Sequence, residues 1–257
     1  MTPQQKLVSY RTIVTREILR FSRIWIQTVL PPMITTALYF IIFGNLIGSQ
    51  IGDMEGFRYM EFIIPGLIMM AVITNSYANV VSSFYSSKFQ RHIEEMLVSP
   101  VPNYVIVLGF ISGGVVRGIV CGIAVTAVSL IFSPLNIHSL AVMVSMIFLT
   151  AILFSLAGLI NAVFARSFDD ISIVPTFVLT PLTYLGGVFY SISMLPEFWQ
   201  RASLINPVLY MVNAFRYGIL GTSDIGIAWA YLITGLFVVG LFALNLGLLN
   251  RGVGIRE

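Results

Sequence analysis

The sequence predicts an all-α, polytopic membrane protein with six transmembrane helices. Three observations predict it. Of 257 residues, 57% are hydrophobic and only 10% are charged, against roughly 25% charged residues in soluble domains. The apolar residues fall in runs long enough to cross a bilayer, which takes about 20 residues of helix. The basic residues are also sorted by side. With a cytoplasmic N-terminus, the segments between the runs place Lys6, Arg11, Arg16, Arg20, Arg23, Lys88, Arg91, Arg166, Arg251 and Arg256 inside. Arg58, Arg201 and Arg216 fall outside, and Arg117 lies within a run. Such a positive-inside bias sets the orientation, with both termini in the cytoplasm.

The elements follow in order. Residues 1–23 read as an amphipathic interfacial helix: Leu7, Val14, Ile18, Phe21 and Trp25 share one face, and Arg16, Arg20 and Arg23 another. The first run begins only near Ile24, after five basic residues and with no small-residue cleavage site, so it reads as an anchor rather than a signal peptide. Span 1 covers residues 25–44, with Pro31 and Pro32 inside it, where a kink or a broken start is expected. Residues 45–60 form an external loop, and span 2 covers 62–84. The internal segment 85–104 has a helical centre. Span 3, at 105–133, is overlong: 29 residues of helix cover ~43 Å against a hydrocarbon core of ~30 Å. It must tilt, or its first part must lie at the cytoplasmic surface. A short turn at Pro134 and Asn136 leads to span 4 (139–164), an internal loop from Arg166 to Asp170, and span 5 (172–190). Residues 191–227 are too apolar for a plain loop and too interrupted for a span, which predicts short re-entrant helices in the outer leaflet. Span 6 covers 228–249. The whole chain, 1–257, reads as one transmembrane domain.

Composition narrows the function. A net charge of +3 that arises on the cytoplasmic face reflects topology and contact with membrane lipids, not nucleic acid. Cys121 is the single cysteine, so no internal disulfide forms. Hydrolase, zinc-protease and CxxC signatures are missing, and so is the phosphate-binding loop G-x-x-x-x-G-K-[ST]. The two histidines, His92 and His138, fall on opposite faces of the membrane and cannot share a metal. Nothing points to a catalytic residue, and any ATP must be bound by another chain.

Three features carry functional weight. Arg117 is the one ionisable residue well inside a span, and it reads either as a substrate or ion contact or as a snorkelling side chain at the cytoplasmic boundary. Its candidate partners are Asp169, Asp170, Glu94 and Glu95. Polar stripes recur at helical spacing on span 2 (Asn75, Asn79, Ser82, Ser86) and span 5 (Thr176, Thr180, Thr183). They are either interhelical hydrogen bonds or the wall of a translocation path without fixed charge, suited to an amphipathic or lipid-like substrate. Finally, residues 88–98 join charges to an apolar edge of Phe89, Ile93, Met96 and Leu97. A short helix of this kind docks in a groove of a cytoplasmic partner or lies on the membrane.

The stretches RIWIQTVLPPMITTALYFIIFGNLIGSQIGDM, FIIPGLIMMAVITNSYANV, KFQRHIEEMLVSPVP, SFDDISIVPTFVLTPLTYLGGVFYSISMLPEFW and NPVLYMVNAFRYGILG cover most of the chain. Together they make it resemble the membrane subunits of ABC-2 type transporters. The resemblance implies a bacterial inner (cytoplasmic) membrane permease, paired with a second permease copy and with two ABC ATPase subunits that carry the ATP and magnesium. It implies a coupling helix, which maps onto Gln90, Arg91, His92, Ile93, Glu94, Glu95, Met96 and Leu97. A second contact maps onto Arg166, Phe168, Asp169 and Asp170, and a path runs between the two permeases near spans 2 and 5. Cargo differs across the family, among drugs, lipids and polysaccharides. The rival readings are a membrane-embedded lipid-modifying enzyme, with Arg117 and Asp169–Asp170 as its polar site, and an ion-coupled transporter.

Overall fold

The computed structural model describes residues 1–47 and 52–254. Arg256 and the loop residues 48–51, which the sequence assigns to a side of the membrane, lie outside that range. The chain opens on α1 (Pro3–Ser22). Thr2 caps it: the Thr2 hydroxyl accepts from the Gln5 amide, and the Gln5 side chain accepts from the Thr2 amide at 2.8 Å. After a bend comes α2 (Trp25–Tyr39), which continues as π-helical turns over Phe40–Ile47. The Pro31–Pro32 pair does not break this helix. Pro32 has no amide proton to give the Thr28 carbonyl, and the Cys121 thiol donates there instead, at 3.6 Å.

A two-residue hairpin, β1 (Asp53–Met54) with β2 (Phe57–Arg58), then interrupts the all-α expectation. The longest helix, α3 (Tyr59–Phe89), follows, then α4 (His92–Val98), α5 (Asn103–Phe132) and α6 (Leu140–Phe164). The overlong span 3 is thus one uninterrupted helix, without a separate piece at the surface.

The fifth predicted span differs most from expectation. It comprises α7 (Asp170–Val174), a π-helical turn (Pro175–Leu179) and α8 (Thr180–Tyr184), then leaves helical geometry. A path of 15 residues advances only ~22 Å, short of the ~30 Å hydrocarbon core. It ends after Tyr184, at Gly186 and Gly187, where Gly187 takes a left-handed conformation (φ 71°). Pro175 and Pro181 lie inside the helical path, and each removes one donor from the ladder. The carbonyl of Ile171, four residues before Pro175, accepts from the Asn161 side chain instead, and the Thr180 hydroxyl turns back to the Pro175 carbonyl. Five helices, rather than six, are therefore long and apolar enough to span a membrane among the described residues: Trp25–Phe43, α3, α5, α6 and Ile227–Arg251 (α11). Between α8 and α11 lie a 3-10 turn, α9 (Glu197–Ser203) and α10 (Pro207–Leu220).

α3 is the centre of the fold. Its apolar window is 83% buried, whereas those of the first and last spans are 17% buried. Glycines bring its neighbours close. Gly114, Gly118 and Gly122 repeat every fourth residue along α5, facing Val72, Ser76 and Val80 of α3. Gly158 of α6 lies so close that a Cβ there would come within 2.7 Å of the Tyr77 carbonyl, a backbone atom that cannot swing aside.

This generates a test. Gly158→Leu should lower the unfolding midpoint of the detergent-purified protein, by an overpacking cost of at least ~1–3 kcal/mol. Gly235→Leu, at a site with no neighbour within 4 Å, should leave it within a degree or two. Equal midpoints for the two variants would refute the close approach.

Candidate functional site

The half of the structure that holds the chain's N-terminus is organised by α1, which packs along α5 and reaches α3. One face of α1 presents Ile13, Glu17 and Phe21. Gly109 of α5 receives Ile13 and Gly113 receives Glu17. Glu17 is fully buried. Its carboxylate accepts from the Ser83 hydroxyl at 2.7 Å and from Arg16 at 3.3 Å, and its other oxygen accepts from Arg20 at 3.5 Å. Arg20 then crosses to α3 and donates to the Asn79 carbonyl at 2.9 Å and to the Asn79 side-chain oxygen at 2.8 Å. It also reaches the Ser82 hydroxyl at 3.5 Å. A carboxylate taken from water is tolerable only when it is paired and hydrogen-bonded, and here both conditions hold.

This network accounts for much of the polar stripe on span 2. Asn79 and Ser82 are used to hold α1, and Asn75 receives Arg117 at 3.4 Å. Arg117 sits near the middle of α5, and among the described residues it bonds to Asn75 and makes no ion pair with Asp169, Asp170, Glu94 or Glu95. The stripe on the fifth segment is differently placed. Thr183 is buried, while Thr176 and Thr180 are exposed beside Phe177 and Val178. Within one chain the two stripes therefore do not form a common wall. A cavity of about 230 Å³ does open between span 1 and α3, lined by Pro31, Thr35, Thr36, Tyr39, Thr74 and Asn75.

The loops at residues 90–102 and 165–169 meet. Arg91 takes a left-handed conformation (φ 60°) that turns the chain sharply into α4. Ile93 is fully buried in the protein's own core, and Met96 and Leu97 pack partly buried against it. Three residues of the apolar edge expected to face a partner thus turn inward, while Phe89 stays 65% exposed. The outward surface of this loop is Gln90, Arg91, His92, Glu94, Glu95 and Val98. Lys88 bridges to the second loop, donating to the Val163 and Ala165 carbonyls at 2.7 and 2.8 Å. Phe168 sets its ring against Tyr85 and Phe89, at 4.9 and 5.3 Å between centroids. Asp170 and Ser167 form a reciprocal cap: the Asp170 carboxylate accepts from the Ser167 amide, and the Ser167 hydroxyl accepts from the Asp170 amide. Arg166, Phe168 and Asp169 stay exposed next to α4's loop.

On the opposite side, Arg216 is not a loop cation but the largest fully buried side chain. Its guanidinium lies 3.9 Å from the centre of the Phe62 ring, donates to the Gly187 carbonyl, and stands 4.0 Å from Asp224. Asp224 in turn accepts from Ser191 at 2.6 Å. Glu55, at the tip of the hairpin, lies beside Asp224. Burial and the bond to Asp224 hold its carboxyl above the ordinary carboxylate range.

Sequence reasoning passed over Glu17. A signal existed, since it is the only acidic residue before Asp53 and shares a four-residue spacing with Ile13 and Phe21.

Long apolar helices around one buried helix, with the loops on either side of α4 and before α7 joined into a single polar surface, define a polytopic membrane protein of the transport-permease type. The family model for the ABC-2 type transporter matches residues 8–220, and the chain belongs to that family. It is 59% identical over 249 residues, 97% of each chain, to the inner membrane transport permease YadH of Escherichia coli (strain K12), and equally to its counterpart from Shigella flexneri. More distantly, it is 23% identical to nodulation protein J of Rhizobium meliloti (strain 1021), over 80% of this chain and 79% of that one.

Two outcomes follow. Glu17→Ala should lower stability by on the order of 2–3 kcal/mol, less than the ~3–5 kcal/mol of a fully buried pair because Arg16 and Arg20 keep access to water. Glu17→Gln, which can still accept from Ser83, should cost less, and thermal unfolding in detergent compares the two. At the hairpin, a carboxyl whose folded value is raised stabilises the contact below that value and loses the effect as pH rises through it. Trypsin cleavage after the exposed Arg58 should therefore speed up from pH 5 to pH 8 relative to a Glu55→Gln protein measured at each pH. A constant ratio would mean that Glu55 does not hold the hairpin.

Proposed function

We propose that this chain is the membrane half of an ATP-driven exporter of the bacterial inner membrane. In this reading it crosses the membrane six times, the short fifth segment counting as one, with both termini in the cytoplasm. It works as a pair of identical permeases with two separate ATPase subunits that bind ATP and magnesium. The observation that carries the reading is the joined cytoplasmic surface of Arg91, His92, Glu94, Glu95, Arg166, Phe168 and Asp169 on a chain of the ABC-2 family. Ile93, Met96 and Leu97 anchor α4 to the permease core, so a push on its charged outer face would pass directly into α3. Nucleotide-driven closure of the ATPases would shift α4 and α3 as a unit and switch the path between inward-open and outward-open states.

The cargo in this reading is amphipathic, lipid-like or polysaccharide in type. Its path would run between the two copies. Thr176 and Thr180 would line it, with the groove at Thr35, Thr74 and Asn75 opening towards it. Asn79 and Ser82 would contribute only if α1 moved away, because they are bonded to Arg20. The exposed apolar face of the fifth segment, Ile173, Phe177 and Val178, supplies the surface for the second copy, whereas α3 is already covered.

Two measurements test this. Co-purification with the cognate ATPase should give a 1:1 ratio of chains, and the double variant Glu94→Lys/Glu95→Lys should lose association and stimulated ATP hydrolysis at least tenfold. Both side chains are exposed, so the permease itself should still fold. Wild-type coupling in that variant would remove the role assigned to α4. For the pair, a cysteine at Thr180 should cross-link between copies and one at Asn75 should not, and the reverse pattern would place the second copy elsewhere.

A further inference from the structure

α1, the end of α3 and the start of α4 enclose a cavity of about 520 Å³. Arg16, Arg20 and Arg23 line it from α1 and the bend after it, Ser86 from α3, and Gln90 and His92 from the turn into α4. Its charge is unbalanced. Three guanidinium groups face one carboxylate, Glu17, and that carboxylate is already engaged by Ser83, Arg16 and Arg20. Arg23 makes no ion pair among the described residues. The Nε of Arg20 is buried and has no hydrogen-bond partner. An amide, a serine hydroxyl and an imidazole complete a set rich in donors. Leu19 and Ile24 add an apolar rim on the side of the interfacial helix.

We infer that this cavity is a binding site for a phosphoryl anion, occupied by the headgroup of an anionic phospholipid from the cytoplasmic leaflet. The forked donors of arginine match phosphate oxygens, and charge-assisted bonds of this kind are the strong ones. Anionic lipids enrich the leaflet that faces the basic segments of a membrane protein. The amphipathic α1 sets the cavity at the headgroup level, where Leu19 and Ile24 meet the acyl-glycerol portion. A bound headgroup would bridge α1 to Gln90 and His92, so the lipid becomes part of the joint between the interfacial helix and the cytoplasmic loop. This inference needs no ATPase partner.

The test uses the full chain purified from membranes, with bound lipid measured by mass spectrometry. The parent should retain phosphatidylglycerol over phosphatidylcholine. Arg16→Gln/Arg23→Gln, which removes two of the three guanidinium groups, should reduce retention at least tenfold, the scale of a single lost charge-assisted contact being about tenfold. Arg11→Gln/Arg251→Gln, which removes the same charge from exposed positions off the cavity, should not. The single variant Arg23→Gln touches no structural ion pair, so it serves if the double variant folds poorly. In phosphatidylcholine nanodiscs, titrated phosphatidylglycerol should raise the unfolding midpoint of the parent but not of the cavity variants. If 10 mM inorganic phosphate alone raises it equally, the phosphoryl site stands with free phosphate as its occupant. Equal retention of both lipids, or equal losses in the cavity and control variants, would overturn the site.

Discussion

The structure depends on the burial of a single helix, Tyr59–Phe89. Lipid tails are as apolar as the side chains of a spanning helix, so hydrophobicity alone gives helices no reason to associate within a bilayer. Close packing and interhelical hydrogen bonds must do it. α3 has both. Gly114, Gly118 and Gly122 on one side and Gly158 on the other bring neighbouring backbones within van der Waals reach of Val72, Ser76, Tyr77 and Val80. The small side chains that permit this approach also hide the polar groups of α3 from lipid.

Charges are handled by the same logic at both ends. At the end that holds the N-terminus, Glu17 is accommodated in the interior because Ser83, Arg16 and Arg20 surround it. On the other side, Arg216 ties the beginning of α3, through Phe62, to the segment holding Gly187 and to the loop holding Asp224. Each cluster connects α3 to a part of the chain that is not a spanning helix. Removing one partner from either would leave a desolvated charge, which is why such groups hold more than their net interaction energy suggests. Between them, Arg117 and Asn75 form a third polar contact at mid-depth.

The loops at the far end of α3 inherit their rigidity from this arrangement. α4 is only seven residues long, too short to be stable as an isolated helix. It persists because Ile93 is inserted in the core and because Lys88 and Phe168 fasten the neighbouring loop to the end of α3.

Much of this architecture was legible in the residues. Run length, charge scarcity and the sidedness of Lys and Arg determine a multi-pass helical protein, because a bilayer leaves little choice for apolar segments of that length. The helices at Pro3–Ser22, Asn103–Phe132, Leu140–Phe164 and His92–Val98 follow from periodicity and turn residues. Tertiary structure decided what each face meets. Helical spacing places Asn75, Asn79 and Ser82 on one stripe, but it does not say whether that stripe lines a path or receives Arg20 and Arg117. It marks Ile93, Met96 and Leu97 as an apolar edge without saying that the edge turns inward. It counts residues 172–190 as one run without saying that helical geometry ends at Tyr184, ahead of the turn at Gly186 and Gly187. The reason is general: period and composition are properties of one helix, whereas the partner of a buried side chain is set by helices distant in sequence and adjacent only once packed.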